Sequence, residues 1–240
     1  MTGSNKLKRS GAPVFWGIPR KGKRRFAVNP SPGPHPKLLG IPLRVLIRDV
    51  LKLTKTSKEA ETAVVNGSVA VDGIVRRDPD FPVGLMDVVE MSSLGKVFRL
   101  LPTKARTLYP IEVPELEKGV KLCRIKNKAT VPGGSFQYGL HDGRSILTGP
   151  EVNIKVGDSA LIQVPKQKIV KHVALKKGSL VLVTGGGRQG EVGKLSEIKS
   201  GSVSRHPMAS VSIEESNVEI PAKLVMAVGE EAPLVTVAVK

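Results

Sequence analysis

Residues 42–73 read PLRVLIRDVLKLTKTSKEAETAVVNGSVAVDG, and the stretch closes at residues 87–91 with DVVEM. Leu43, Leu46, Ile47 and Val50 recur at i, i+3, i+4 and i+7, which predicts a helix with one apolar face. On that helix Arg44, Arg48, Lys52 and Lys55 fall together on another face. Thr56-Ser57-Lys58-Glu59 has the form of a capping box, in which the Thr56 hydroxyl accepts from the Glu59 amide and the Glu59 carboxylate reaches back. A second, short helix starts there, with Ala60, Ala63 and Val64 inward and Asn66-Gly67 as a left-handed stop. Residues 69–71 and 74–75 flank Asp72-Gly73, which tolerates the positive φ of a tight primed turn, so they read as a hairpin. Residues 87–91 supply a third strand.

The 240 residues carry 38 Lys and Arg against 21 Asp and Glu, a formal net charge of +17. A field of that sign favours polyanions, because each phosphate neutralised by Lys or Arg releases condensed counterions. No stretch approaches the run of about twenty apolar residues that spans a bilayer, and the start lacks an apolar signal core. The expectation is a soluble cytoplasmic protein with no membrane partner. Cys123 is the sole cysteine, so an intramolecular disulfide or a cysteine-based zinc site is excluded, and the four histidines lack metal-ligand spacing. Neither a cofactor nor a small-molecule substrate is expected. Eighteen prolines, twenty-five glycines and many valines favour short strands joined by turns.

Residues 1–48 contain no acidic residue. Lys6, Lys8, Arg9, Arg20, Lys21, Lys23, Arg24, Arg25 and Lys37 punctuate a segment that also holds six prolines between Pro13 and Pro36. So few apolar residues do not offset the ordering entropy, and the segment reads as an extended, largely disordered arm that orders on assembly. Its Phe15, Trp16 and Phe26 either stack on bases or dock on the rest of the protein.

Two basic-faced helices followed by a small hairpin resemble the alpha-L RNA-binding domain, in which the helices face RNA. Lys6-Leu7-Lys8-Arg9, Ala12-Pro13, Trp16-Gly17-Ile18, Arg20-Lys21 and Pro32-Gly33-Pro34-His35, then Ile41-Pro42-Leu43 and Arg48-Asp49, resemble the arm of the archaeal and eukaryotic small-ribosomal-subunit "four-e" family. The compact spacing through Pro36 is closer to its archaeal members. Lys6 stands where a histidine is common and Phe26 where tryptophan is expected, and both keep the cationic or aromatic character.

Beyond Met91, residues 97–102 read as a strand entering a second unit. Residues 122–125, 145–147, 152–156 and 159–164 read as short strands, with a turn at Pro132-Gly133-Gly134, and suggest a small barrel or sandwich. His141-Asp142-Gly143-Arg144-Ser145-Ile146 resembles the characteristic turn of the family's central β domain. His141, Asp142 and Ser145 include triad residue types, but a triad is a matter of geometry and Asp-Gly is turn chemistry.

Gly185, Gly187 and Gly190 match G-x-G-x-x-G. A dinucleotide site needs a following helix, and the valines around Gly193 argue against one; a P-loop fails because Leu195 follows Gly193-Lys194. The stretch resembles a KOW motif through Gly178, Val181, Val183, Gly190 and Gly193, with Arg188 at its tip and Lys194 nearby. Valine-rich strands and most of the remaining acidic charge follow residue 210, and this end is expected to complete the last barrel and face solvent.

The resulting fold class is α+β, mainly β: a basic Pro-rich arm (1–41), an alpha-L domain (42–104), a central β domain (105–172) and a KOW-type small β barrel (173–240). The resemblance implies a non-catalytic structural constituent of the small ribosomal subunit. Its partners would be small-subunit ribosomal RNA and neighbouring ribosomal proteins, with one copy in the ribosome. The implied RNA-binding residues are Lys6, Lys8, Arg9, Trp16, Arg20, Lys21, Lys23, Arg24, Arg25, His35, Lys37, Arg44, Arg48, Lys52, Lys55, Lys58, Arg188 and Lys194. The alternative is a non-ribosomal accessory or regulatory factor using the same modules. An RNA-modifying enzyme would need a catalytic domain with a nucleophile or base that this chain does not offer.

Overall fold

The computed structural model describes residues 7–21, 25–202, 206–213 and 216–237. Two compact units emerge: Met1–Leu101 with Thr107–Lys118, and Pro102–Arg106 with Gly119–Lys240.

In the first unit, β1 (Leu7–Lys8) pairs antiparallel with β2 (Phe26–Ala27). β3 (Ile41–Pro42) runs into α1 (Leu43–Val45), which continues through residues 46–50 as a wider turn, with the Leu51 amide donating to the Leu46 carbonyl. That i→i+5 winding shifts the apolar phase, so Val45 is buried and Val50 only partly so. Lys52 then adopts a positive φ of 55°, ending the helix before it completes the stripe from Arg44 to Lys55. The single basic face expected of one helix is thus divided between a helix and the turn after it.

α2 (Ser57–Val65) starts on the full capping box: the Glu59 amide donates to Thr56 Oγ1 (3.2 Å) and the Thr56 amide to Glu59 Oε2 (3.3 Å). Gly67 supplies the left-handed stop. β4 (Val69–Val71) and β5 (Ile74–Val75) form the hairpin, with both Asp72 and Gly73 at positive φ. β6 (Pro82–Val83) pairs with β3, and β7 (Val88–Met91), β8 (Lys96–Pro102) and β9 (Leu108–Glu112) complete a sheet of order β5-β4-β7-β8-β9.

The disordered arm expected from composition is corrected by the packing of its described residues. Ala12, Trp16 and Ile18 lie in one core with Leu43, Leu46, Val64, Val89 and Leu100, and Trp16 Nε1 donates to the Gly40 carbonyl at 3.0 Å. His35 is buried and its Nε2 donates to Asp87 Oδ2 at 2.9 Å. A few large side chains, each with a long-range socket, supply the burial that average composition does not reveal.

In the second unit, the long strand β10 (Val120–Thr130) pairs through its first half with β13 (Ser159–Gln163), which carries β14 (Lys168–Val173). Its second half pairs with β11 (Phe136–Leu140), which carries β12 (Ser145–Thr148). Residues 152–156, expected as a strand, form none. Tyr138 takes their backbone groups instead, its hydroxyl donating to the Val152 carbonyl (2.8 Å) and accepting from the Ile154 amide (2.9 Å). Strands β11 and β14 were not anticipated.

The C-terminal sheet joins β15 (Leu180–Val183), β16 (Val192–Lys199), β17 (Met208–Ile213), β18 (Ser216–Pro221) and β19 (Val225–Gly229) in the order β18-β17-β16-β15-β19. β19 also lies close to β10, β13 and β14 of the preceding sheet.

Candidate nucleic-acid interface

Lys6, Lys23 and Arg24 lie outside the described residues. Of the remaining expected contacts, five are buried or half-buried and engaged within the protein. Arg9 is buried and donates through Nε to the Pro19 carbonyl. Trp16 and His35 hold the sockets described above. Arg44 Nη2 donates to Asp80 Oδ1 at 2.8 Å and its Nη1 lies 3.4 Å from Glu61 Oε2, while Arg48 makes a two-point pair with Asp49. These pairings fix the helix and the arm more than they present charge.

The others are exposed. Lys52 and Lys55 lie in the turn between α1 and α2 and Lys58 in the first turn of α2, so three exposed lysines follow one another along a short segment. Lys8, Arg20, Lys21, Arg25 and Lys37 line the arm; Arg20 Nη2 donates to the Ala12 carbonyl at 2.7 Å, and the Arg25 guanidinium lies 5.7 Å from the Phe26 ring centre. Arg77 is also exposed, next to Arg76, which covers the Phe81 ring at 4.4 Å. The adjacent basic pair Arg76-Arg77 directly follows the hairpin and lies outside the residues the sequence reading singled out.

In the second unit the His141-to-Ser145 segment is a turn held by a buried ion pair. Lys121 Nζ donates to Asp142 Oδ2 at 2.9 Å, both side chains being almost fully enclosed, and Arg144 Nε approaches Asp142 at 3.4 Å. Burial alone would raise the Asp142 carboxyl, but Lys121, His141 and Arg144 outweigh it and hold the group below its ordinary value. His141 Nδ1 accepts the Arg124 amide at 3.2 Å, and Ser145 sits exposed on β12. His141 thus serves the backbone and Asp142 the ion pair, not a nucleophile.

Residues 184–191 connect β15 to β16, so a strand follows the glycine run where a dinucleotide site would require a helix. Arg188 is exposed there, 3.4 Å from Glu191, and Lys194 is exposed on β16. Among the described residues no group of three or more His, Cys, Asp or Glu could hold a metal ion, and no helix is long and apolar enough to cross a membrane.

Three family models match the chain: RS4NT (NUC023) domain over residues 1–38, S4 domain over 45–89 and Ribosomal family S4e over 94–169. Small ribosomal subunit protein eS4 of Pyrobaculum arsenaticum is 40% identical over 233 residues, covering 96% of this chain and 98% of the relative. The protein of the same name from Methanothermobacter thermautotrophicus is 39% identical over 216 residues, covering 90% and 87%. The crystal structure of the 30S ribosomal protein S4e from Thermoplasma acidophilum superposes with a TM-score of 0.70 at 30% identity, covering 80% of this chain and 96% of that one. Identity of this order along nearly the whole length of both chains, over the same mainly β architecture, shows that the chain belongs to the small ribosomal subunit protein eS4 family.

Proposed function

We propose that this protein is a structural constituent of the small ribosomal subunit, binding ribosomal RNA and stabilising its local fold during assembly and translation without catalysing a reaction. The observation that carries this reading is the near end-to-end similarity to proteins named small ribosomal subunit protein eS4. The net charge of +17 supports it, as does an S4 domain whose inter-helix turn is lined by exposed lysines.

In this reading the segments 1–41, 42–104, 105–172 and 173–240 act as arm, alpha-L domain, central β domain and KOW-type barrel, except that residues Thr107–Lys118, with β9, belong to the first unit. Lys52, Lys55, Lys58, Arg188 and Lys194 meet RNA phosphates, together with Lys8, Arg20, Lys21, Arg25 and Lys37 of the arm. Lys6, Lys23 and Arg24, from the same stretch of sequence, bind RNA as well. Arg9, Trp16, His35, Arg44 and Arg48 contribute by holding the surface in shape. One copy sits in the ribosome, in the cytoplasm, against RNA and neighbouring ribosomal proteins. The mechanism is positioning: phosphate contacts fix register, and the shape of the folded RNA supplies selectivity.

The test replaces Lys52, Lys55 and Lys58 by Glu and measures filter binding to small-subunit RNA against salt. Each phosphate contact removed lowers the log-log slope by about 0.7 to 0.9. Circular dichroism should be unchanged, since all three side chains are exposed. An unchanged slope would remove this turn from the interface. Release of the wild-type protein from small subunits in a moderate salt wash would favour an accessory factor over a constituent.

A further inference from the structure

A cleft of about 360 Å³ opens in the second unit where the loop before β13, strand β16 and the turn after β18 converge. Its wall carries the basic side chains of Arg124, Lys155 and Lys223, with His206 beside them. Asp158 is the one carboxylate among the described lining residues, and both its oxygens accept hydrogen bonds. Oδ1 accepts from the Leu175 amide (2.9 Å), while Oδ2 accepts from the Lys155 amide (3.2 Å) and from His172 Nε2 (2.8 Å). With Arg124, Lys155 and Lys223 against this single carboxylate, the described lining carries a net positive charge.

Arg124 marks the site. Its Nη1 donates to the Lys223 carbonyl, which pins the guanidinium against the wall, while Nε is shielded from solvent with no hydrogen-bond partner among the described residues. Burial holds its pKa below the usual arginine value, with no carboxylate acting in the other direction. Arg124 as a whole is only half-buried, and its planar guanidinium matches the oxygens of a phosphate. The lining also includes Leu175 and Ile198, the latter 40% exposed on a strand. The cleft is near the small end of the range of about 300–1,000 Å³ typical of ligand sites, room for one nucleotide but not for a duplex, which is read across a broad shallow groove.

We propose that this cleft captures one nucleotide of single-stranded RNA, its phosphate held by Arg124, Lys155 and Lys223 and its sugar or base resting on Leu175 and Ile198. This rests on the RNA-binding reading above and adds to it a discrete pocket in the second unit. It gives the protein a means of recognising a looped-out nucleotide, in addition to phosphate contacts along helices.

The full chain is titrated with single-stranded hexauridylate while the Leu175 and Ile198 methyl resonances are followed by NMR. Saturable shifts of these methyls are expected, and the double variant Lys155→Glu/Lys223→Glu should weaken the binding they report by about tenfold or more, since two phosphate contacts become repulsive. Silent methyls, or a double variant that binds like wild type, overturn the proposal. Equal saturation by inorganic phosphate would show an adventitious anion site, and preference for hexaglutamate an acidic-protein site; either result rejects RNA capture. Filter binding of small-subunit RNA is measured in parallel, so that silent methyls with intact RNA binding reject the cleft alone and leave the ribosomal reading standing.

Discussion

Replacing Trp16 by Ala tests whether the arm belongs to the folded protein. The indole is fully buried among Leu43, Leu46 and their neighbours, and its Nε1 donates to Gly40. Truncating a buried Trp typically costs about 3–5 kcal/mol, and a buried carbonyl left without its donor adds about 1–3 kcal/mol where water does not reach it. The two overlap, so the expected loss is about 5 kcal/mol, comparable to the whole stability of many domains of about 5–15 kcal/mol. Urea unfolding followed by far-ultraviolet circular dichroism should show the first unit's transition moving to much lower urea or vanishing. Trp16 is also the sole tryptophan, so its emission reports this one socket. In the isolated wild-type protein it should be blue-shifted and resist iodide quenching. Solvent-like emission, or a loss below about 1 kcal/mol in Trp16→Ala, would refute the docked arm, because surface changes stay within about 0.5 kcal/mol.

Gly84→Ala should loosen the same arm from the other side, since an added Cβ would lie 2.5 Å from the His35 ring; the expected cost is about 1–3 kcal/mol, measured as a lower urea midpoint. Gly119→Ala, with nothing within 4 Å of the new carbon, is the control and should leave the midpoint nearly unchanged. In the second unit Lys121→Met leaves the buried Asp142 carboxylate with Arg144 as its remaining cation and should cost up to about 3–5 kcal/mol, much of which Lys121→Met/Asp142→Leu should recover. Because the folded Asp142 pKa lies below its unfolded value, its stabilisation is present above the ordinary Asp range and is lost as pH falls through the lower folded value. Asp142→Asn should therefore flatten the acid limb of the stability profile, which a pH series of melting curves measures.

What could be read from sequence follows the range of the interactions involved. Thr56 and Glu59, or Asp72 and Gly73, determine their conformations with neighbours a few residues away, and those elements were legible. Arg44 looked like a free cation because its partner Asp80 is 36 residues distant, and Trp16 looked unhoused because its acceptor is Gly40. Val152 and Val156 alternate like strand residues, yet the phenol of Tyr138 occupies the backbone groups that a ladder would have used. The basic turn at Lys52, Lys55 and Lys58 was visible as charge, while its shape depended on the wide winding after Val45 and the positive φ of Lys52, which periodicity does not encode. The cleft at Arg124 joins residues up to about a hundred positions apart and left no local signature.

The shared core of the arm and the helices has a consequence for synthesis. Trp16 is made early, but its core also includes Leu100 and Leu108, more than eighty residues later. At about 5–20 residues per second, on the order of ten seconds pass before those strands exist. Throughout that interval the nascent chain presents an unhoused indole on a stretch without a single acidic residue, whose charge attracts polyanions. Folding of the first unit thus waits on non-local closure, and a polyanion that shields the early cations during the delay would act as a chaperone for the protein before becoming its scaffold.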